Sequence, residues 1–219
     1  MIVLRTKEVE FDVTYINLRE KPDWFLKISP HGKVPVLKVD DEILFESNAI
    51  AEYLDETVLP QLHPADPIKR ARNRAWTDFV PDFSKGLSAA YRRDTLEEME
   101  EGRADAKKVL GKLEDAIKTE RINDGPYFNG DTLCLVDAAY APFLQRFMIA
   151  EAKLSTGLFD EFPLVKAWME ALLASDLITG SVAETFVPEF KASMTRYGYH
   201  VGTLFAQEAA AAADPGGTP

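Results

Sequence analysis

The chain of 219 residues lacks the features that define several large classes of protein. It has a single cysteine, Cys134, so no disulfide can form within it, and its three histidines form no zinc-binding cluster with that cysteine. It contains no secretory signal segment and no uninterrupted run of about 18 apolar residues, the usual length of a membrane span. We therefore expect a reduced, cytoplasmic protein without a metal site.

Basic residues are also scarce. Lys and Arg together number 25 against 36 Asp and Glu, which gives a formal net charge of −11 at pH 7. Nucleic acids and anionic membranes are bound through basic surfaces, so this balance argues against both as main partners and against a nucleic-acid regulator. The hydrophobic fraction of 46% is sufficient for a sizeable core. We expect small-molecule partners.

The first part of the chain mixes strand and helix signals. From Val9 to Leu18, apolar and polar residues alternate, which predicts a strand. Two short apolar runs, 33–39 and 42–46, flank the pair Asp40-Asp41 and predict a β-hairpin. Ser47 then provides a good N-cap residue, which predicts the start of a helix.

Beyond this region the patterns are almost entirely helical. Residues 57–66 carry two prolines without periodicity and predict a linker. The sequence therefore predicts an α+β fold with a small mixed unit over 1–58 and an all-helical unit over 59–219 that ends in a flexible tail. Helices are expected near 67–87, 97–121, 135–151, 163–175, 176–186 and 188–208.

The dipeptide Val34-Pro35 lies in the first run of the predicted hairpin. Proline cannot donate to a sheet ladder, and only an X-Pro bond takes the cis form at low cost. A cis bond would turn the N–H and C=O groups of Val34 outward, where they can pair with the backbone of a ligand. For this dipeptide alone, an ordinary edge-strand proline is the alternative.

Glu46 and Ser47 stand at a strand-to-helix junction. The free N–H groups and the Ser47 hydroxyl at a helix start form an anion site, and Glu46 beside them suits an ammonium group. Lys21 offers a cation for a second carboxylate. Taken singly, these residues also fit a helix cap and solvated charges. Together with Val34-Pro35, these residues complement a ligand that is a short peptide with a zwitterionic end, a central amide and a distal carboxylate. Glutathione has this structure.

Segments 21–37 and 44–56 resemble the glutathione site of the glutathione transferases, most closely the omega class and related bacterial members. Residues 63–71 resemble the entry to the first long helix of that family, and 130–144 resemble its buried central helix. The resemblance covers most of residues 1–185. It implies a thioredoxin-like N-terminal domain followed by an all-helical C-terminal domain.

The resemblance also implies roles for particular residues. Val34, before a cis Pro35, would pair with the cysteinyl backbone of glutathione, Glu46 and Ser47 would hold its γ-glutamyl end, and Lys21 would hold its glycyl carboxylate. Glutathione would be the co-substrate. The helical domain would supply the acceptor pocket, for which the candidate residues are Tyr91, Arg92, Phe143, Arg146, Phe147 and Tyr197.

In this family the catalytic residue is a Cys, Ser or Tyr that follows the first strand, at the start of the first helix. The segment from Met1 to Glu8 resembles the second half of that helix. We therefore expect the first strand and the catalytic residue, whose identity is unknown, to lie upstream of Met1, in about 20–30 residues on the size of a strand and half a helix. Cys134 stands where the family has a Ser or Thr that caps the central helix, with Asp137 completing a capping box, so we interpret it as structural.

The implied activity is that of an omega-like glutathione transferase on a small electrophile, a disulfide or a dehydroascorbate-like substrate. A Ser or Tyr would stabilise the glutathione thiolate for conjugation, whereas a Cys would support thiol exchange, reduction or lyase chemistry. The family implies a homodimer. The alternative is a non-catalytic binding or scaffold protein of the same fold.

Overall fold

A computed structural model describes residues 1–213 of the chain. The expected tail lies largely in residues 214–219, outside the described residues. The contacts divide the chain into two compact units, Met1–Asp78 and Phe79 onward. This division falls later than the expected boundary at residue 58, because the connecting segment is bound to the N-terminal unit through Leu62 and His63.

The N-terminal unit contains four helices and a two-stranded antiparallel sheet among its described residues. In the sheet, Val36 pairs with Phe45 and Val39 with Glu42, so Asp40 and Asp41 form the turn, as the sequence predicted. Asp40 takes a φ of 51°, a conformation that Asp adopts more readily than most residues. The elements are α1 (Ile2–Thr6), α2 (Asp23–Ile28), β1 (Val36–Val39), β2 (Glu42–Phe45), α3 (Ser47–Thr57) and α4 (Pro67–Asp78).

The predicted strand at 9–18 is wrong for the structure as described, in which this segment has no regular secondary structure. A strand exists only where its backbone groups pair with a neighbouring strand, and the sheet within residues 1–213 contains β1 and β2 alone. Val13 and Tyr15, two of the alternating apolar residues, are 42% and 60% exposed. Alternation identified an extended segment but not a partner for it.

A buried ion pair fixes α3 against α1. The Lys7 ammonium lies 3.0 Å from a carboxylate oxygen of Asp55, and both residues are buried. Lys7 also donates to the carbonyl oxygens of Val58 and Pro60, each at 2.6 Å. All three protons of the ammonium therefore have acceptors, which is the condition under which a buried charge is tolerated.

The Asp55 carboxylate also organises the segment that follows α3. It accepts hydrogen bonds from the backbone N–H groups of Leu62, at 2.6 Å, and His63, at 3.1 Å. Burial alone would raise the pKa of Asp55, but these hydrogen bonds and the Lys7 charge lower it overall. Nearby, the His63 ring contacts Glu52 at 2.7 Å, and Arg74 donates to the other oxygen of Glu52. The start of α4 is thus tied to α3.

The helical unit is built around α7, whose buried side chains include Tyr140 and Leu144. Asp137, in the first turn of α7, is completely buried and accepts hydrogen bonds from Phe128 N–H at 2.9 Å and Trp168 Nε1 at 2.6 Å. The helices are α5 (Val80–Ala89), α6 (Leu96–Glu120), α7 (Leu135–Leu154), α8 (Pro163–Leu173), α9 (Asp176–Thr179), α10 (Phe186–Arg196) and α11 (His200–Ala213), with a 3₁₀ turn at Leu158–Glu161.

The single helix expected over 188–208 is wrong, because the segment forms α10 and α11. Gly198 takes a φ of 76°, and the Tyr199 N–H donates to the Met194 carbonyl, a glycine-terminated helix end. Gly202 then lies against the Met194 backbone, where a Cβ would stand only 2.4 Å from it. The glycine therefore allows α11 to pack closely on α10.

Two further features are absent from the part of the chain that the structure describes. None of its helices is long and apolar enough to cross a membrane. No group of three or more Cys, His, Asp or Glu side chains in residues 1–213 is arranged to hold a metal ion.

We predict that Asp55→Asn destabilises the protein by about 3 kcal/mol at pH 7, because the buried Lys7 ammonium loses its counter-ion. The folded-state pKa of Asp55 is lowered, so its contribution is present above the ordinary value of 3.8 and is lost as the pH falls through that value toward the folded-state pKa. Urea denaturation of both proteins should show a stability gap that narrows below pH 3.8.

Glu56→Gln is the matched control, since Glu56 is the next residue of α3 and its side chain is 70% exposed. It should change the free energy of unfolding by less than about 0.5 kcal/mol. Equal losses in Asp55→Asn and Glu56→Gln would contradict a special role for the buried pair.

Candidate functional site

A shallow recess on the N-terminal unit collects most of the residues that the sequence predicted to bind glutathione. It has a volume of about 50 Å³ and lies where the loop after α2 meets the junction between β2 and α3. Four of the five predicted glutathione-binding residues line it: Val34, Pro35, Glu46 and Ser47. Its other lining residues are Ser29, His31, Lys33 and Phe45.

The loop at residues 29–33 forms one wall of the recess and is held at both ends. The buried Ser29 hydroxyl donates to the Lys33 carbonyl at 2.9 Å and accepts from the Lys33 N–H at 3.0 Å. The Ser29 N–H donates to the Phe25 carbonyl in α2. The His31 ring packs edge-on against Phe45 of β2, with 5.5 Å between the ring centroids. These contacts join the loop to both neighbouring elements.

Val34 presents backbone groups to the recess. The Val34-Pro35 peptide bond is cis, and the side chain of Val34 is 47% exposed. β1 begins only at Val36, so the sheet does not use the Val34 backbone, and no residue within 1–213 hydrogen-bonds to its N–H or C=O. Val34 therefore offers one free donor and one free acceptor.

The start of α3 differs from the expectation that Ser47 is its N-cap. Glu46 occupies the cap position with a φ of 67°, and Ser47 is the first helical residue without a side-chain capping bond. The Ser47 hydroxyl is therefore free. A positive φ is uncommon in a residue with a Cβ and is concentrated at binding sites.

Three backbone N–H groups at the start of α3 lack acceptors. The first N–H bonded within the helix is that of Ile50, which donates to the Glu46 carbonyl. The N–H groups of Ser47, Asn48 and Ala49 have no partner in the described part of the chain. Together with the helix dipole they favour an anion, and the exposed Glu46 carboxylate beside them favours a cation. The junction is thus suited to a zwitterion.

Lys21 is the predicted site residue that the structure does not bring to the recess. It is exposed, one residue before the N-cap of α2. Lys33 lines the recess instead, and sequence reasoning missed it together with His31, Ser29 and Phe45. For Ser29, His31 and Lys33, the position just before Val34-Pro35 was the available signal, but a Lys or Ser in a loop is usually a solvated residue. Phe45 directly precedes Glu46, but an apolar residue at the end of a strand is ordinary.

The aromatic candidates for an acceptor pocket have very different exposures. Phe147 is completely buried and Tyr91 is 3% exposed, with their ring centroids 6.0 Å apart. Phe143 is half-buried on α7. Tyr197, after the end of α10, is 62% exposed and packs against the ring of Tyr199. Phe147 therefore belongs to the helical core.

The two arginine candidates each lie against an aromatic ring. Arg92 is half-buried with its guanidinium carbon 5.4 Å from the centroid of the Tyr91 ring. Arg146, also half-buried, lies over the ring of Phe186 at 5.2 Å and donates to the Pro142 carbonyl at 2.7 Å. The structure thus brings Tyr91, Arg92 and Arg146 into one cluster.

Cys134 is buried at the start of α7, as the structural interpretation expected. Its N–H donates to Asp137 at 2.7 Å, which forms one half of the predicted capping box. Burial raises the pKa of the Cys134 thiol well above its ordinary value, and the nearby Asp137 carboxylate adds to the effect. A thiol in this state is a poor nucleophile.

Family comparisons agree with this geometry. A family model described as the glutathione S-transferase N-terminal domain matches residues 1–57, and one described as the C-terminal domain matches residues 96–171. The chain belongs to the glutathione S-transferase family. The predicted fold is confirmed: a thioredoxin-like N-terminal domain with a short two-stranded sheet, followed by a helical C-terminal domain.

Individual members of the family resemble the chain over most of its length. "Glutathione S-transferase DHAR3, chloroplastic" of Arabidopsis thaliana is 31% identical, over 84% of this chain and 67% of the relative. "Glutathione S-transferase omega-1" of Rattus norvegicus is 30% identical, over 83% of this chain and 73% of the relative. The structure of a rice glutathione S-transferase in complex with glutathione superposes with a TM-score of 0.74 at 25% identity, covering 90% of each chain.

We predict that the native protein resists thiol labelling. At pH 8, Ellman's reagent should react with Cys134 at least roughly a hundredfold more slowly in the folded protein than in denaturant, because the buried thiol is neither ionised nor accessible. The chain has one cysteine, so the colour yield reports this residue alone. Equal rates in the two states would contradict the structural interpretation.

Proposed function

We propose that this member of the family is an omega-like glutathione transferase that binds glutathione in the recess at the start of α3. The observation that carries the proposal is the combination at that point of an exposed carboxylate, a free hydroxyl and three free N–H groups in the Glu46–Ala49 segment. The rice relative captured with glutathione supports it.

Each end of glutathione has matching groups in this proposal. The γ-glutamyl carboxylate accepts hydrogen bonds from the Ser47 hydroxyl and the free N–H groups of α3, where the helix dipole also favours it. The γ-glutamyl ammonium pairs with Glu46. The cysteinyl N–H and C=O pair with the free backbone groups of Val34, beside Pro35. The bound molecule then supplies the reacting thiol.

The glycyl carboxylate is assigned to a lysine. Lys21 keeps the role that the family resemblance implies, and Lys33 places a second ammonium on the recess itself. Both side chains are exposed, so their attraction to the carboxylate is screened by solvent and salt. We expect these lysines to contribute less to affinity than the groups at the start of α3.

The proposal names the type of reaction and the class of acceptor. The thiol of glutathione acts on a small electrophile or a disulfide or dehydroascorbate-like substrate, with the acceptor bound by the helical domain. Relatives named as omega-class and DHAR glutathione S-transferases favour the omega-like assignment. We also propose the homodimer that the family resemblance implies.

We predict that Glu46→Ala weakens glutathione binding by roughly 10- to 100-fold, because a hydrogen-bonded charge pair contributes about 1.5–3 kcal/mol. Ser47→Ala should weaken it by only about fivefold, since the N–H groups of α3 still bind the carboxylate. Isothermal titration calorimetry of the full chain measures both. The dipeptide Cys-Gly, which lacks the γ-glutamyl group, should bind weakly and be insensitive to Glu46→Ala.

Glu42→Ala is the matched control, because Glu42 is an exposed carboxylate on β2 that does not line the recess. It should leave the affinity for glutathione within about twofold. Failure of the unmodified chain to bind glutathione, or equal losses in Glu42→Ala and Glu46→Ala, would overturn the proposal.

A further inference from the structure

The arginine cluster of the helical domain has an unusual charge balance. Arg92 follows α5, with its guanidinium carbon 5.4 Å from the centroid of the Tyr91 ring. Arg146 of α7 lies over Phe186, and the Phe190 ring contacts both Phe186, at 6.3 Å, and Tyr91, at 6.2 Å. The Tyr91 ring packs against Phe147, the residue after Arg146, with 6.0 Å between the ring centroids. Nε of Arg92 is buried and has no hydrogen-bond partner within residues 1–213.

No carboxylate neutralises this cluster. Among the described residues, neither Arg92 nor Arg146 has an Asp or Glu oxygen within 4.0 Å, although the chain carries 36 acidic residues in all. Burial lowers the pKa of Arg146, and the like charge of Arg92 lowers it further. Arg92 and Arg146 are therefore two half-buried cations in one cluster that contains no counter-ion among residues 1–213.

This arrangement favours an anion. Guanidinium groups remain protonated in proteins, so the repulsion between Arg92 and Arg146 is not relieved by loss of a proton. A carboxylate between them would neutralise the charge and accept paired N–H bonds from the planar forks. The Tyr91 hydroxyl carries a proton that it can donate to the same carboxylate.

The neighbouring side chains favour an organic anion over an inorganic one. The Phe186 ring lies under Arg146 and is half-buried, and Tyr199 lies near Tyr91 and is also half-buried. These rings offer apolar surface beside the two charges. An aromatic acid can pack against that surface, whereas an inorganic ion cannot.

We propose that Arg92 and Arg146, with the Tyr91 hydroxyl, form a binding site for the carboxylate of an aromatic organic acid. If the chain has the transferase function proposed above, on which this step rests, its acceptor molecule belongs to that chemical class.

Sodium benzoate is the probe, titrated into the full chain and followed by the NMR signals of the arginine side chains. The signals of Arg92 and Arg146 should shift with saturation, whereas neutral benzamide should bind at least about tenfold more weakly. Arg92→Gln and Arg146→Gln should each weaken benzoate binding by at least about tenfold. Arg93→Gln, which removes the same charge from an exposed neighbour, should change it by less than twofold.

Three results would overturn the site: equal affinity for benzamide and benzoate, equal losses in Arg93→Gln and Arg92→Gln, or displacement of benzoate by an equal concentration of inorganic phosphate. Thermal unfolding of each variant checks that it is folded. Arg92→Lys, which keeps the charge but loses the planar guanidinium group, should weaken benzoate binding several-fold.

Calorimetry of the same variants with glutathione tests the carboxylate site separately from the proposed glutathione transferase function. We expect unchanged glutathione affinity in Arg92→Gln and Arg146→Gln, because neither residue lines the recess at α3. Benzoate binding in a chain that does not bind glutathione would retain the anion site and refute the transferase. Glutathione binding by a chain that does not bind benzoate would refute the anion site and retain the proposed transferase.

Discussion

The buried pair of Lys7 and Asp55 is the interaction on which the N-terminal unit depends. It joins α1 to α3, and the same carboxylate holds the N–H groups of Leu62 and His63. Because α3 is fixed near its C-terminal end, its N-terminal end stays beside the hairpin, where Glu46 and Ser47 line the recess. The binding geometry at one end of the helix therefore rests on an ion pair near the other.

The helical domain uses a buried carboxylate in a similar way, but within residues 1–213 this carboxylate forms no ion pair. Asp137 accepts from the backbone of Phe128 and Cys134 and from the Trp168 indole. Burial raises the pKa of Asp137 despite these hydrogen bonds, whereas the Lys7 charge helps to lower the pKa of Asp55. Each carboxylate organises segments that are distant in the sequence, one paired directly with a buried ammonium and the other held by hydrogen bonds.

Local patterns in the sequence predicted much of this structure. The Asp40-Asp41 turn, the long helix at 96–120 and the buried helix that begins at Leu135 follow from short-range spacing. The strand at 9–18 was wrong because alternation shows an extended backbone but not its pairing partner. The break at Gly198 was missed because its φ of 76° depends on how α11 packs on α10.

The site was predictable where a motif carried it. Val34-Pro35 and Glu46-Ser47 adjoin secondary-structure elements that the sequence specified, and the structure brings them together. The position of Glu46, rather than Ser47, at the cap of α3 depends on a backbone angle that no residue pattern reveals. Likewise, the uncompensated pair of Arg92 and Arg146 is visible only in three dimensions, since 53 intervening residues separate two otherwise ordinary surface-type charges.

The central claim is that glutathione binds at the start of α3, and the most direct test is to map its contacts on the ¹⁵N-labelled chain. Addition of glutathione should shift the backbone amide signals of Val34, Ser47, Asn48 and Ala49 more than any others, since these are the unpaired N–H groups of the recess and of the first turn of α3 beside it. Saturable shifts that are largest in another region, with these four signals unmoved, would contradict the account.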